Sequence, residues 1–185
     1  MKKLDYYIQK KRFIAAKKYI LPHSEILDIG CSKGELFDFL KDLKICGIGM
    51  DPDVANEGEK SKDIFLFKSS FPNEQLLEKK FDYITALAVM EHIPLEDLNN
   101  FVKSCYSILR TGGKLIITVP STIVDYILIV LKAFHLVDTM HLDQHHGVKP
   151  NQIKEAILKQ PFNLIEHEKF ELGLNNIFVF EKTSH

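Results

Sequence analysis

The sequence predicts an α/β domain: an open, mostly parallel sheet wound with helices on both faces and finished by a C-terminal antiparallel hairpin. Three observations carry that expectation. Short runs rich in Ile, Leu, Val and Phe alternate with stretches of helical period as far as Pro120. Turn-forming glycines follow the first of these strand-like runs and precede the last. Near the C-terminus the alternation stops, and two extended runs flank Leu172-Gly173-Leu174. Strands separated by helices need crossovers, which are right-handed and cover a parallel sheet on both faces. Two extended runs joined by a short glycine-bearing turn read as a hairpin.

The elements follow in order. Residues 3–20 read as a helix, with Leu4, Ile8, Ile14 and Ile20 set among lysines. Leu21-Pro22 ends it, because proline disfavours helical geometry in the residue before it. Residues 25–30 (EILDIG) form a short buried strand. Over 34–44, Leu36, Phe37, Leu40 and Leu43 share a helical face. ICGIGM (45–50) is a second strand and IFLFK (64–68) a third, and 73–79 is a short helix. Residues 81–89 contain a fourth strand running out near Leu87. Residues 95–109 place Leu95, Leu98, Val102, Tyr106 and Leu109 at three- and four-residue steps, a helix. Thr111-Gly112-Gly113 is a turn, and KLIITV (114–119) is a fifth strand stopped by Pro120. Residues 163–170 and 175–182 are the hairpin. The sum is a Rossmann-like, doubly wound arrangement.

At 185 residues the chain is expected to be one domain. It divides into an N-terminal helix (1–25), a core (26–121), an insertion (122–160) and the hairpin (161–185). Its 45% apolar and 26% charged residues are ordinary globular composition. With 24 Lys+Arg against 25 Asp+Glu the net charge is -1, which argues against a dedicated nucleic-acid binder. Cys31, Cys46 and Cys105 are scattered, so neither a zinc ribbon nor a disulfide framework is expected, and a reducing, cytoplasmic setting fits. The basic N-terminus is not followed by an apolar run of signal-peptide length. The longest apolar stretch, 123–137, is interrupted by Asp125, Lys132 and His135 and falls short of the ~20 residues a bilayer span needs.

In such sheets ligands bind beyond the carboxyl ends of the strands. After the first strand stands Asp28-Ile29-Gly30-Cys31-Ser32-Lys33-Gly34, where Gly30 permits a tight turn and Gly34 opens the next helix. After the second stands Asp51, placed as an acid that accepts hydrogen bonds from ribose hydroxyls; the alternative role is an N-cap. The glycine spacing is not the G-x-G-x-x-G of dinucleotide folds, and Asp28 would repel a pyrophosphate. A ligand with an adenosine end and a cationic amino-acid end fits better.

At these residues the chain resembles the class I S-adenosylmethionine-dependent methyltransferases, within the small ubiquinone-biosynthesis-like group. ILDIGCSKG is similar to their first motif, GIGMDPD to the second, FDYITALAVMEHI to the fourth-strand motif and LRTGGKLIITVPS to the fifth-strand segment. DQHHGVKPNQIKEAI and the final hairpin resemble the later part of the group. The resemblance implies S-adenosylmethionine as cofactor. Asp28, Gly30, Cys31 and Gly34 would hold its methionine end, Asp51 the ribose, and Pro52 the adenine. Ala86 and Leu87 would touch it mainly through backbone. Ser32 stands where the family usually has glycine. Ser69-Ser70 stand where it often has an acid reading the adenine amino group.

The implied partner is a small-molecule or lipid-like acceptor, with an RNA or protein methyltransferase, or a non-catalytic cofactor- or partner-binding member, as alternatives. The lysines Lys2, Lys3, Lys10, Lys11, Lys17 and Lys18 would be the footprint for RNA. His92 is a candidate base or a loop-holding residue. His141, His145 and His146 read as an acceptor-pocket loop rather than a metal site, and no metal is expected. Residues 122–137 are apolar on most of a helical wheel: a core or homodimer helix, or else a lid over a hydrophobic acceptor or a peripheral membrane contact.

Overall fold

The computed structural model of the chain describes residues 3–121 and 149–184. Its elements run α1 (Lys3–Lys17), β1 (Glu25–Ile29), α2 (Glu35–Phe39), β2 (Cys46–Met50), β3 (Gly58–Ser61), β4 (Ile64–Phe67), β5 (Phe81–Leu87), α3 (Leu95–Ile108), β6 (Leu109–Pro120), α4 (Pro150–Ile157), β7 (Phe162–Phe170) and β8 (Asn175–Lys182). The strand order in the single sheet is β3-β4-β2-β1-β5-β6-β8-β7. The five central strands are parallel. β8 runs antiparallel beside β6, β7 antiparallel beside β8, and β3 antiparallel beside β4. The sheet is therefore Rossmann-like and mostly parallel, with the expected C-terminal hairpin at one edge and a second, unexpected antiparallel strand at the other.

Each central strand serves two cores, because side chains alternate between the faces of a sheet. Leu27 and Ile84 pack with Leu98, Val102, Ile153 and Ile157 under α3 and α4. Ile26, Tyr83 and Ile116 pack with Ala16, Leu36 and Leu40 on the side of α1 and α2. α3 forms where Leu98, Phe101, Val102, Cys105 and Ile108 recur at helical steps and are all buried. α1 is held by Ala15 and Ala16 in the core. Ion pairs fix its end, Lys17 to Asp42 at 2.6 Å and Lys18 to Glu168 at 2.8 Å.

Four local expectations are corrected. The helix expected over 34–44 is α2 plus a separate 3-10 turn, Lys41–Leu43. Two residues later the chain must enter β2, and Lys44 at φ 51 turns it there. The helix expected over 73–79 shrinks to the 3-10 turn Glu74–Leu76, since Leu76 is the one residue of that turn that is buried. Thr111-Gly112-Gly113 is not a turn before a strand but a bulge inside β6. The pairing jumps from Phe81↔Leu109 to Tyr83↔Lys114, and Gly112 takes φ 76. β3, Gly-Glu-Lys-Ser, carries no apolar residue and so gave no strand signal; it exists because Lys62-Asp63 turns it back onto β4. The crossover from β2 to β4 consequently has no helix.

Candidate functional site

The parallel strands bring the ends of β1, β2, β5 and β6 to one rim of the sheet. The loop leaving β1 is pinned to the end of β2: Gly30 N and Cys31 N both donate to Met50 O, at 2.8 and 3.3 Å. Gly30 has φ 75, and a Cβ there would stand 2.4 Å from Val89 Cγ2, so the loop after β5 closes directly against it. Ser32 takes φ 51, a left-handed conformation that glycine enters more cheaply.

Asp51, just past β2, braces this loop. Its Oδ2 accepts from Ser32 N at 2.9 Å and its Oδ1 from Asp53 N at 2.8 Å. Each oxygen keeps a further lone pair for a ligand. Asp28 is 4% exposed, and its Oδ1 accepts from Thr85 Oγ1 at 2.6 Å. Burial pushes its pKa up to about 7; the Thr85 hydrogen bond opposes this, and the charges of Asp51 and Glu35 add to it.

A cavity of about 240 Å³ opens beside this acid. From the sheet side it is lined by Asp28, Gly30, Cys31, Ser32 and Leu87. From above it is closed by Asp5, Gln9, Arg12 and Phe13 of α1. Cys31 is a wall residue: it packs on Gly49, and burial pushes its thiol pKa up to about 12, far from a reactive thiolate. A second, mostly apolar cavity of about 670 Å³ lies between α1, Pro120 and the turn joining β7 to β8. Arg12 lines both cavities.

The remaining expected residues are distributed as follows. Gly34 sits at φ 74 under Lys60, whose Nζ donates to Lys33 O at 2.9 Å and pairs with Asp38 at 3.0 Å. Pro52 is exposed next to Asp51. Ser69 Oγ accepts from Asn73 Nδ2 at 2.7 Å and donates to Ser70 O at 3.2 Å. Ala86 is fully buried inside β5. None of these five residues, Ser70 included, lines the smaller cavity. His92 is exposed, whereas its neighbour Glu91 is 6% exposed and turned inward. His141, His145, His146 and the 122–137 segment lie outside the described residues. Among the described residues no group of three His, Cys, Asp or Glu could hold a metal ion.

The helix expected over 3–20 is α1, but the motifs did not place it over the smaller cavity. Its residues 5, 9, 12 and 13 share one helical face, so the stripe was visible; its destination was not.

Asp28, Asp51 and Glu35 put negative charge around the loop, and Arg12 of α1 is a cation lining the same cavity.

Residues 2–167 match a family model described as a methyltransferase domain. The ubiquinone biosynthesis O-methyltransferase of Glaesserella parasuis is 27% identical over 158 residues, covering 77% of this chain and 66% of that protein. The chain spans less than two thirds of the length of that relative and of the Pelagibacter ubique one, of which it covers 63%. Among solved structures, a SAM dependent methyltransferase from Archaeoglobus fulgidus superposes with a TM-score of 0.70 at 19% identity, over 95% of this chain and 94% of that one. The magnesium protoporphyrin IX methyltransferase from Synechocystis, with bound SAH, gives 0.67 at 14% identity, over 96% and 83%. These likenesses establish the fold.

Proposed function

The chain belongs to the class I, S-adenosylmethionine-dependent methyltransferase family, whose domain model it matches over residues 2–167, and on that premise we propose that it methylates a small-molecule or lipid-like acceptor. The observation that carries the reading is the rim cavity: a buried acid, Asp28, faces a loop that Asp51 holds at 2.9 Å. Asp28, Gly30, Cys31 and Gly34 serve the methionine end of the cofactor, Asp51 the ribose, and Pro52, Ser69 and Ser70 the adenine side. Ala86 and Leu87 flank it along the backbone. The bound cofactor supplies an electrophilic methyl group on a positively charged sulfur. The protein holds the two partners in line and keeps water away, which is worth on the order of 7–11 kcal/mol.

The acceptor side is the 670 Å³ cavity, which meets the cofactor cavity at Arg12. Its largely apolar lining favours an apolar acceptor. The name of the Glaesserella relative points the same way. Lys17 and Lys18 are engaged with Asp42 and Glu168, which weakens the case for an RNA footprint on α1. A cytoplasmic setting, with peripheral membrane contact for a lipid acceptor, belongs to the same proposal. No described helix is long and apolar enough to cross a membrane.

Two measurements test this. Calorimetry with S-adenosylhomocysteine should show one site per chain. Labelled S-adenosylmethionine should pass its methyl group to an added lipidic phenol. A folded protein that binds neither cofactor form would end the proposal.

A further inference from the structure

β3 carries no apolar residue, so core packing does not account for it. One of its side chains reaches the loop that leaves β1. The β3–β4 register shifts from Glu59↔Phe65 to Ser61↔Ile64, which makes Lys60 the extra residue of a β-bulge. A bulge re-aims the side chain it carries, and bulges recur beside functional sites. Lys60 Nζ donates to Lys33 O at 2.9 Å and pairs with Asp38 Oδ2 of α2 at 3.0 Å. Its stem lies across Gly34, where a Cβ would stand 2.8 Å from Lys60 Cδ. The side chain is only 22% exposed although β3 is the edge of the sheet.

The loop is thus gripped at two successive residues from two different elements. Asp51 accepts from Ser32 N at 2.9 Å, and Lys60 donates to the carbonyl of the next residue. On either side of Lys33 the backbone is left-handed, with Ser32 at φ 51 and Gly34 at φ 74. A serine in that conformation persists only where its surroundings hold it. Asp38 is 65% exposed, so its ion pair with Lys60 contributes little by itself. The hydrogen bond to Lys33 O is the contact that bears on the loop, and a charged donor makes it stronger than a neutral one. Lys33, Gly34 and Lys60 do not line the smaller cavity. Lys60 therefore acts on that cavity through the loop and not by touching its contents.

We propose, resting on the reading of residues 30–34 as the cofactor loop, that Lys60 is a positioning residue for cofactor binding. It holds the Lys33 carbonyl so that the loop keeps its binding shape before the cofactor arrives. β3 then serves to deliver this lysine. A loop already set in shape pays no ordering cost on binding. A released loop that keeps the shape about a tenth of the time binds about tenfold more weakly.

The test titrates S-adenosylhomocysteine calorimetrically into the wild-type protein and three variants. Lys60→Met keeps the stem over Gly34 and removes the ammonium; it should bind about tenfold more weakly. Lys60→Arg keeps a cation and N–H donors and should stay within about twofold to threefold of wild type. Asp38→Asn removes the ion pair and leaves the hydrogen bond to Lys33 O; it should lose about twofold to threefold, and it supplies the reading if Lys60→Met does not fold. A lysine that only filled space over Gly34 would leave Lys60→Met with wild-type affinity, and that result overturns the proposal. Equal losses in Lys60→Met and Lys60→Arg overturn it as well, as does wild-type affinity in Asp38→Asn where Lys60→Met does not fold. No binding by the wild-type protein would remove the cofactor-loop reading and Lys60 with it, whereas wild-type binding with an unaffected Lys60→Met removes the role of Lys60 alone.

Discussion

Asp51 Oδ2 accepts a hydrogen bond from the backbone N–H of Ser32 at 2.9 Å. The acid expected to read a ribose therefore also holds the loop that follows β1. Ser32 keeps its left-handed φ of 51 in that grip, so under the proposed function cofactor binding and loop shape would depend on one side chain.

Replacing Asp51 with Ala should weaken S-adenosylhomocysteine binding by about 2–4 kcal/mol, the loss of two hydrogen bonds to a charged acceptor. Asp51→Asn keeps one acceptor oxygen and should lose less. Calorimetry on folded variants decides it: wild-type affinity in Asp51→Ala would remove Asp51 from the site.

Asp28 should make binding pH-dependent. Its folded pKa, about 7, lies above the ordinary 3.8. The stability it contributes is complete below the unfolded value and is lost as pH rises through about 7. A cationic ligand prefers the ionised form, so cofactor affinity should rise as pH approaches 7 and then level off. Each pH unit below that should cost up to about tenfold. Asp28→Asn should flatten both profiles; a pH-independent affinity in the wild-type protein would contradict the assignment.

The acids around the loop should also reject dinucleotides. S-adenosylhomocysteine at saturating concentration should raise the melting temperature by mass action, and NAD should not. Greater stabilisation by NAD would reverse the choice of ligand.

Gly47 is the sheet's least tolerant glycine. A Cβ there would stand 2.0 Å from Ile26 O, on the neighbouring strand. Gly47→Ala should cost about 3 kcal/mol or more. Gly112→Ala meets nothing within 4 Å and should cost only the strain of φ 76, about 1–2 kcal/mol. Thermal unfolding of the two variants compares them, and an unchanged melting temperature for Gly47→Ala would be incompatible with the β1–β2 pairing.

Much of the proposed cofactor side was legible because it is local. Asp28, Gly30 and Gly34 lie within seven residues, and the turns they make depend on neighbours in sequence. Asp51 was legible from its distance to Gly30, which a strand–helix–strand unit sets. β3 was not legible, since Gly58–Ser61 buries no apolar side chain. The break after Phe39 was not legible either, because the helical face continues through Leu43 while the chain must turn into β2.

The sequence by itself determined the alternation of strands and helices, the parallel core, the C-terminal hairpin and the loop chemistry at the end of β1, all of which follow from periodicities and glycines within a few residues. Only the tertiary structure decided that α1 lays Asp5, Gln9, Arg12 and Phe13 over that loop. It alone placed Arg12 and Asn175, which are 163 positions apart, on the wall of one cavity. These placements arise from how the helix and the hairpin dock on the sheet, where buried area and polar pairing across elements govern the outcome and no local pattern encodes it.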